Sequence, residues 1–316
     1  MTRILDLVEK IQDTQASISK LEKVAIENPE SKSLALTIRS LYHREEDLQK
    51  SFSAVAAEDL VDVCSYRLAA DNSAPYNVST VSKVLGDFQN LLTIVFDAIK
   101  NNTQKQRADI TPEIAKQSSL EFGYTFSGSL GFVFTIPNER LLAVDSDLDL
   151  SIQAIFEMAK AQDSKALSIF AKKIGIAPIR SVYRWAKDHV ESSLSAEIQW
   201  ERGDEVRASL LIQPPELRHL ITVIDETSDE ERTPFSIYGQ LVGADTDMRT
   251  FHLKVEGGKD IKGSLDENFR PPENFAIDQY YMAEMVKKTK VHYSTDKKDE
   301  VYLLISLGKY PPDNPS

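Results

Sequence analysis

The chain has 316 residues, 41% hydrophobic and 27% charged, a balance typical of a folded protein long enough to bury more than one core. Its formal net charge of −12 divides into −3 over residues 1–59, −7 over 60–232 and −2 over 233–316. No part is basic overall, which argues against tight non-specific nucleic-acid binding, since that relies on neutralising phosphates. No apolar run reaches the roughly 18–20 residues of a membrane span, and the first residues enter a helical pattern without the features of a signal peptide. Cys64 is the only cysteine, so neither an internal disulfide nor a cysteine-based zinc site can form. A cytoplasmic protein in a reducing compartment, with no membrane association and no cofactor, is expected.

The first 57 residues read as two helices folded into an antiparallel coiled-coil hairpin. Steps of four and three give one seam of Ile4, Leu7, Ile11, Thr14, Ile18, Leu21 and Ala25, and a second of Leu34, Ile38, Leu41, Glu45, Leu48, Phe52 and Val55. About the Asn28-Pro29 turn, each position meets a partner whose number sums with its own to 59. The only polar members, Thr14 and Glu45, then fall opposite each other. Such a hairpin alone buries too little apolar surface to offset the ordering of roughly fifty residues. Its base, with Leu5, Val8, Ala56 and Ala57 beside the seam, should dock on the rest of the chain or on a second copy. The tip, 26–33, should reach outward.

A central α+β domain with mainly antiparallel strands is expected over 58–226. Residues 60–68 alternate as a strand, and Val81 to Ile99 carry apolar residues at helical spacing. Residues 100–118 read as a polar loop. Leu120–Phe126 and Gly131–Ile136 make a β-hairpin, followed by helices at 147–161, 164–174 and 179–193. A second β-hairpin, Ala196–Trp200 with Val206–Ile212, leads to a short helix opened by Pro214-Pro215. The acidic run 225–232 reads as the boundary. Beyond it, over 233–310, strands at 235–242, 250–255, 261–265, 280–293 and 301–307 indicate a small five-stranded β-barrel of the OB or SH3-like kind.

Three stretches carry candidate chemistry. Gly128-Ser129 followed by Ser146-Asp147-Leu148-Asp149-Leu150 resembles the polymerase-β-like nucleotidyltransferase pattern. That resemblance implies that Ser129 opens a helix and that Asp147 and Asp149, side by side on a strand, hold magnesium. The sequence departs from the pattern in running from Ser129 into a strand, and the competing reading puts the aspartates at a helix N-terminus. Residues 170–187 resemble a helix-turn-helix of the resolvase or transposase kind, which implies DNA contacts by Lys172, Lys173, Arg180, Arg184 and Lys187. The competing reading is two amphipathic helices with solvated basic faces. Lys287, Lys288, Lys290, Lys297 and Lys298, among Tyr281, Tyr293 and Tyr302, are a candidate face for single-stranded nucleic acid.

The five histidines show no HExxH or other metal-ligand spacing, and the chain has no P-loop, GxGxxG or GxSxG. The expected function is non-enzymatic binding and assembly. In this reading the hairpin seam drives self-association or docks a protein partner, and the C-terminal barrel recognises a ligand, as in an accessory subunit of a bacterial complex. Nucleic-acid binding and metal-dependent nucleotidyl transfer are the alternatives.

Overall fold

The computed structural model describes residues 2–70, 76–126, 130–138, 145–203, 205–255, 257, 260–272, 275–295 and 298–309. Among these are eight helices and two five-stranded sheets, a mixed α+β architecture. The chain divides into two compact units, Met1–Ile224 and Asp225–Ser316.

The first unit begins with α1 (Thr2–Glu27) and α2 (Lys32–Glu58). All fourteen seam positions are buried or half-buried, whereas 26–30 at the tip are exposed. Ser31 caps α2, its hydroxyl accepting from the Leu34 amide, which satisfies one of the free donors at a helix start. The base docks as the apolar pattern requires. Ile11, Phe52 and Ala56 pack with Val63, Tyr124 and Val133, and Ile4, Leu7, Val8 and Leu48 join them. Leu5 differs from expectation: it points to solvent, 67% exposed.

The sheet receiving the hairpin has the order β2-β3-β1-β4-β5, formed by β1 (Val61–Ala70), β2 (Glu121–Phe126), β3 (Leu130–Pro137), β4 (Leu194–Arg202) and β5 (Glu205–Ile212). All neighbours are antiparallel. Strand alternation gives the sheet two different faces. Cys64, Tyr66 and Leu68, all fully buried, lie on one face. There Tyr66 meets Phe88 of α3 (Val78–Lys100) edge-on at 5.0 Å and bonds to Trp185 and His189 of α7 (Ile176–Glu191). Val63, Ser65 and Arg67 lie on the other face, towards the hairpin.

The remaining helices of this unit are α4 (Pro112–Gln117), α5 (Asp147–Ala159), α6 (Ser164–Ile174) and α8 (Pro214–Glu226). The expected 100–118 loop thus contains α4, opened by Thr111 as N-cap with Pro112 in the first turn. The two helices α6 and α7 are separated only by Gly175, with φ +89° and ψ 179°, a region open essentially to glycine alone. A Cβ there would lie 2.2 Å from the Lys105 carbonyl oxygen. This close approach lets Lys105 donate to Ile174 O and accept from the Ala177 amide, both at 2.9 Å.

The second unit contains β6 (Ser228–Asp245), β7 (Thr250–Val255), β8 (Ile261–Leu265), β9 (Tyr280–His292) and β10 (Lys298–Lys309). They form a closed hydrogen-bonded ring in the order β10-β8-β7-β6-β9. The β8–β10 pair is parallel and short, Leu303 opposite Ser264 and Leu304 opposite Leu265. Gly263 admits it, since a Cβ there would fall 2.1 Å from the Tyr302 carbonyl oxygen. Leu241, Phe251, Leu253, Tyr281, Met285 and Leu304 fill the interior. The acidic run 225–232 is not a linker throughout, because residues 228–232 already belong to β6. There Glu230 stands opposite Lys290, and the charges of Arg232, Lys288 and Lys290 around it hold its carboxyl below the usual range, so basic residues on and across the ladder offset part of the negative charge of the run.

Candidate functional site

Asp147 and Asp149 occupy the first turn of α5, not a strand. Ser146 is the N-cap, and its hydroxyl and amide engage Asp149 in a reciprocal capping box. Two residues apart on a helix are about 200° apart around its axis, so these carboxylates diverge rather than converge on one ion. Asp149 is paired with Arg202. Asp147 lines a separate pocket of about 240 Å³ together with Lys100 and Lys116. Ser129 lies outside the described residues. Among the described residues no group of three or more His, Cys, Asp or Glu is placed to hold a metal.

The 170–187 unit forms two helices, but the expected recognition helix is a core element. Ten residues of α7 are buried, among them Ile179, Val182, Trp185 and His189. The turn at Gly175 lies beneath the 104–106 segment, where Gln104 bonds the Lys172 carbonyl and Arg180 the Gln106 carbonyl. Arg184 donates to Ser181, and Lys187 pairs with Glu191 at 3.8 Å. Lys172 and Lys173 are exposed in the last turn of α6, where cations favour the helix C-terminus. The amphipathic reading therefore accounts for the pattern: one side of α7 is buried, and Arg184, Lys187 and Glu191 lie on its exposed side.

The barrel lysines divide between the two sides of β9, with Lys287 opposite Tyr302. Lys287 points to the opposite side of β9 from Lys288 and Lys290 and pairs with Glu300 at 2.6 Å. Lys290 stands opposite Glu230 and Asp299, and Lys298 opposite Val291. Lys297 lies outside the described residues. Tyr281 and Tyr293 are buried, and Tyr302 packs against Phe235. What the second unit does offer is a hollow of about 540 Å³ in which Arg232, Arg249 and Lys288 meet Asp266 and Glu267.

A larger concavity lies elsewhere. A cleft of about 1230 Å³ runs between α2 and the hairpin-facing side of the sheet, from Ala35 to Ser53 along the helix. Eighteen steps of 1.5 Å along the helix make it about 27 Å long. Its floor includes Ser65, Tyr124, Val133 and Glu201, and its wall includes Glu45. Glu45 is 7% exposed and accepts from the Gln15 and Gln49 side-chain amides at 2.7 and 3.3 Å. Gln15 also donates to the Thr125 carbonyl at 2.7 Å, which ties the hairpin to β2. Thr14, the other polar seam residue, donates instead to the Lys10 carbonyl of its own helix.

The electrostatics of the floor follow from burial without compensation. Glu201 makes no hydrogen bond or ion pair among the described residues, and desolvation raises its carboxyl above the usual range. Burial raises the Tyr124 phenol too, and the negative charges of Glu201 and Glu45 add to the effect. Sequence reasoning missed Glu201. Its signal was the alternation Glu197, Gln199, Glu201 against Ala196, Ile198, Trp200, which marks a polar sheet face.

Other ionisable groups of this unit are tied up in structure. His189 is fully buried. Its Nδ1 lies 3.0 Å from the Leu194 carbonyl, and Nε2 lies 2.8 Å from the Tyr66 hydroxyl, which also accepts from the Trp185 indole at 2.7 Å. Burial lowers its pKa to about 4, so the neutral ring donates from Nδ1 and accepts at Nε2. Asp62, also fully buried, accepts from Arg202 twice at 3.0 Å, from the Trp200 indole at 3.0 Å and from Asn138 at 2.6 Å. No helix among the described residues is long and apolar enough to cross a membrane. Comparison with protein-family models, with curated proteins and with solved structures returns no match.

Proposed function

We propose that this protein acts by binding and assembly, with the cleft between α2 and the sheet as its principal ligand site. The cleft itself carries this reading. Its volume exceeds the roughly 300–1,000 Å³ of small-molecule pockets, and its length suits a polypeptide segment. Its walls are a docked helix and a five-stranded sheet, and rigid elements position a site better than loops do. A displayed library of random octapeptides selected on the full-length chain tests it, with Ser53→Trp, which fills the cleft, as the counter-selection. Peptides retained by the natural chain and released by Ser53→Trp support the reading. Equal retention by both, with Ser53→Trp unfolding at an unchanged temperature, refutes it.

The C-terminal ring, read as a small barrel of the OB or SH3-like kind, supplies a second recognition surface at the hollow lined by Arg232, Arg249 and Lys288. For self-association, the seam is closed within the chain, but Val24, Ile26 and Leu36 near the tip remain 45%, 81% and 67% exposed. Light scattering on the natural chain and on Ile26→Glu with Leu36→Glu tests this part. A monomer mass for both removes it.

A further inference from the structure

We propose that the cleft beneath α2 receives an extended basic segment of a partner protein and seats one arginine or lysine side chain between Tyr124, Glu45 and Glu201. This rests on the cleft being a binding site, and adds what it binds.

The sheet face supplies an internal precedent. Arg67 lies over the Phe126 ring, 5.5 Å from its centroid, and pairs with Glu197 at 3.2 Å. One rung contains all three, since Phe126 is opposite Gly131, Gly131 opposite Arg67 and Arg67 opposite Glu197. Further along the same face an aromatic and a carboxylate stand on successive rungs, Tyr124 on that of Val133, Ser65 and Gln199, and Glu201 on that of Val63. The residues between them are Val133, Ser65 and Val63, short side chains that carry no charge. Aromatic and carboxylate thus stand on this face again, one rung out of line, with no cation of the chain between them.

Charge accounting points the same way. Glu201 has no partner among the described residues, and Glu45, although more than nine-tenths buried, has only neutral amide donors. Carboxylates in this position are stabilised when a cation arrives, and an aromatic ring beside them adds a cation–π contact. The basic residues of the wall do not fill this role. Lys50 is paired with Glu46 at 2.8 Å, and Arg39 is six residues, about 9 Å along the helix, from Glu45 towards the tip. A cleft of about 27 Å holds about eight residues of extended chain at 3.3 Å each, far more than a lone amine occupies. A peptide therefore fits better than a free polyamine.

The test uses the octapeptides selected on the full-length protein, labelled and titrated by fluorescence anisotropy. Arginine or lysine should recur at one position. Its replacement by citrulline should weaken binding about tenfold or more, as should Glu201→Gln or Glu45→Gln in the protein. Citrulline combined with Glu201→Gln should cost little more than either alone, and spermine should not displace the peptide. Cleft-dependent peptides with no basic position, or equal losses from citrulline on the natural chain and on both variants, sink the cation proposal and leave the cleft reading intact. Displacement by spermine at comparable concentration reassigns the site to free amines. No dependence on Ser53→Trp removes both readings.

Discussion

Asp62→Ala is the most demanding test of the first unit's interior. Asp62, fully buried, accepts two hydrogen bonds from Arg202, one from Trp200 and one from Asn138 among its contacts. Its loss strands two neutral donors on residues only 1% and 3% exposed, at about 1–3 kcal/mol each. Arg202 keeps one carboxylate partner, Asp149, so its charge is only half compensated. Removing one member of a buried pair costs about 3–5 kcal/mol. The overlapping contributions give about 4 kcal/mol, a large share of the 5–15 kcal/mol typical of a domain. Urea unfolding followed by tryptophan fluorescence is the suited assay, because both tryptophans, Trp185 and Trp200, lie in this unit and report it alone. Arg202→Gln should couple to Asp62→Ala by about 2 kcal/mol. A loss below about 1 kcal/mol for Asp62→Ala, with the denaturant slope unchanged, would refute the account.

Three further perturbations follow from the same fold. His189 has its folded pKa lowered to about 4 by burial. Its contribution, roughly 3 kcal/mol, is therefore present above pH 6.5 and lost as the pH falls towards 4. Asp87 works oppositely. Desolvation and its contact with Asp188 raise it to about 6 beside Lys83 and Arg184, so its contribution is full below about pH 4 and lost as the pH rises through 6. Asp87→Asn should accordingly make stability fall more steeply between pH 6.5 and 4 in pH-dependent urea titrations, and an unchanged slope counts against it. Gly175→Ala should cost about 3 kcal/mol or more, because the left-handed backbone and the Lys105 carbonyl both oppose a Cβ; a thermal melt within a degree of the natural chain contradicts this. Phe52→Ala, which removes a fully buried ring standing edge-on to Tyr124 at 5.2 Å, should cost about 3–5 kcal/mol and speed proteolysis within 1–57, with unchanged cleavage as the opposing result.

The hairpin was legible because helix periodicity is local and its two seams share one arithmetic, so all fourteen positions could be read from spacing. Most strands were legible for the same reason, from a period of two between turn residues. What failed was what depends on distant partners. The acidic run 225–232 read as the boundary, and the chain does divide at its start, but the strand within it was hidden because the partners of 228–232 lie on β9, more than fifty residues away in the chain. Nothing in the strand pattern of 60–68 singled out Asp62, because its partner Arg202 is 140 residues away. The burial of one side of α7 could not be read from the Lys–Arg pattern of 170–187, because the elements that cover Val182, Trp185 and His189 lie elsewhere in the chain. Even α4 carried a readable start in Thr111-Pro112, outweighed by the polar residues around it. The cleft could not be read at all, since α2 and β4 meet only after the hairpin base has docked.

Glu45 connects these observations. At its seam position a leucine would have packed the hairpin more simply, and a buried carboxylate with neutral partners is a poor source of stability. A polar residue at such a position does, however, penalise every register that leaves it unpaired. Its partner Gln15 also bonds the Thr125 carbonyl of β2, so the same contact that fixes one helix on the other fixes the pair on the sheet. Shift the hairpin by one turn and the amide donor is lost together with the strand contact. The charge that enforces this register remains in the wall of the cleft, opposite Glu201. The feature that holds the hairpin in place is therefore also half of the electrostatic character of the site it walls.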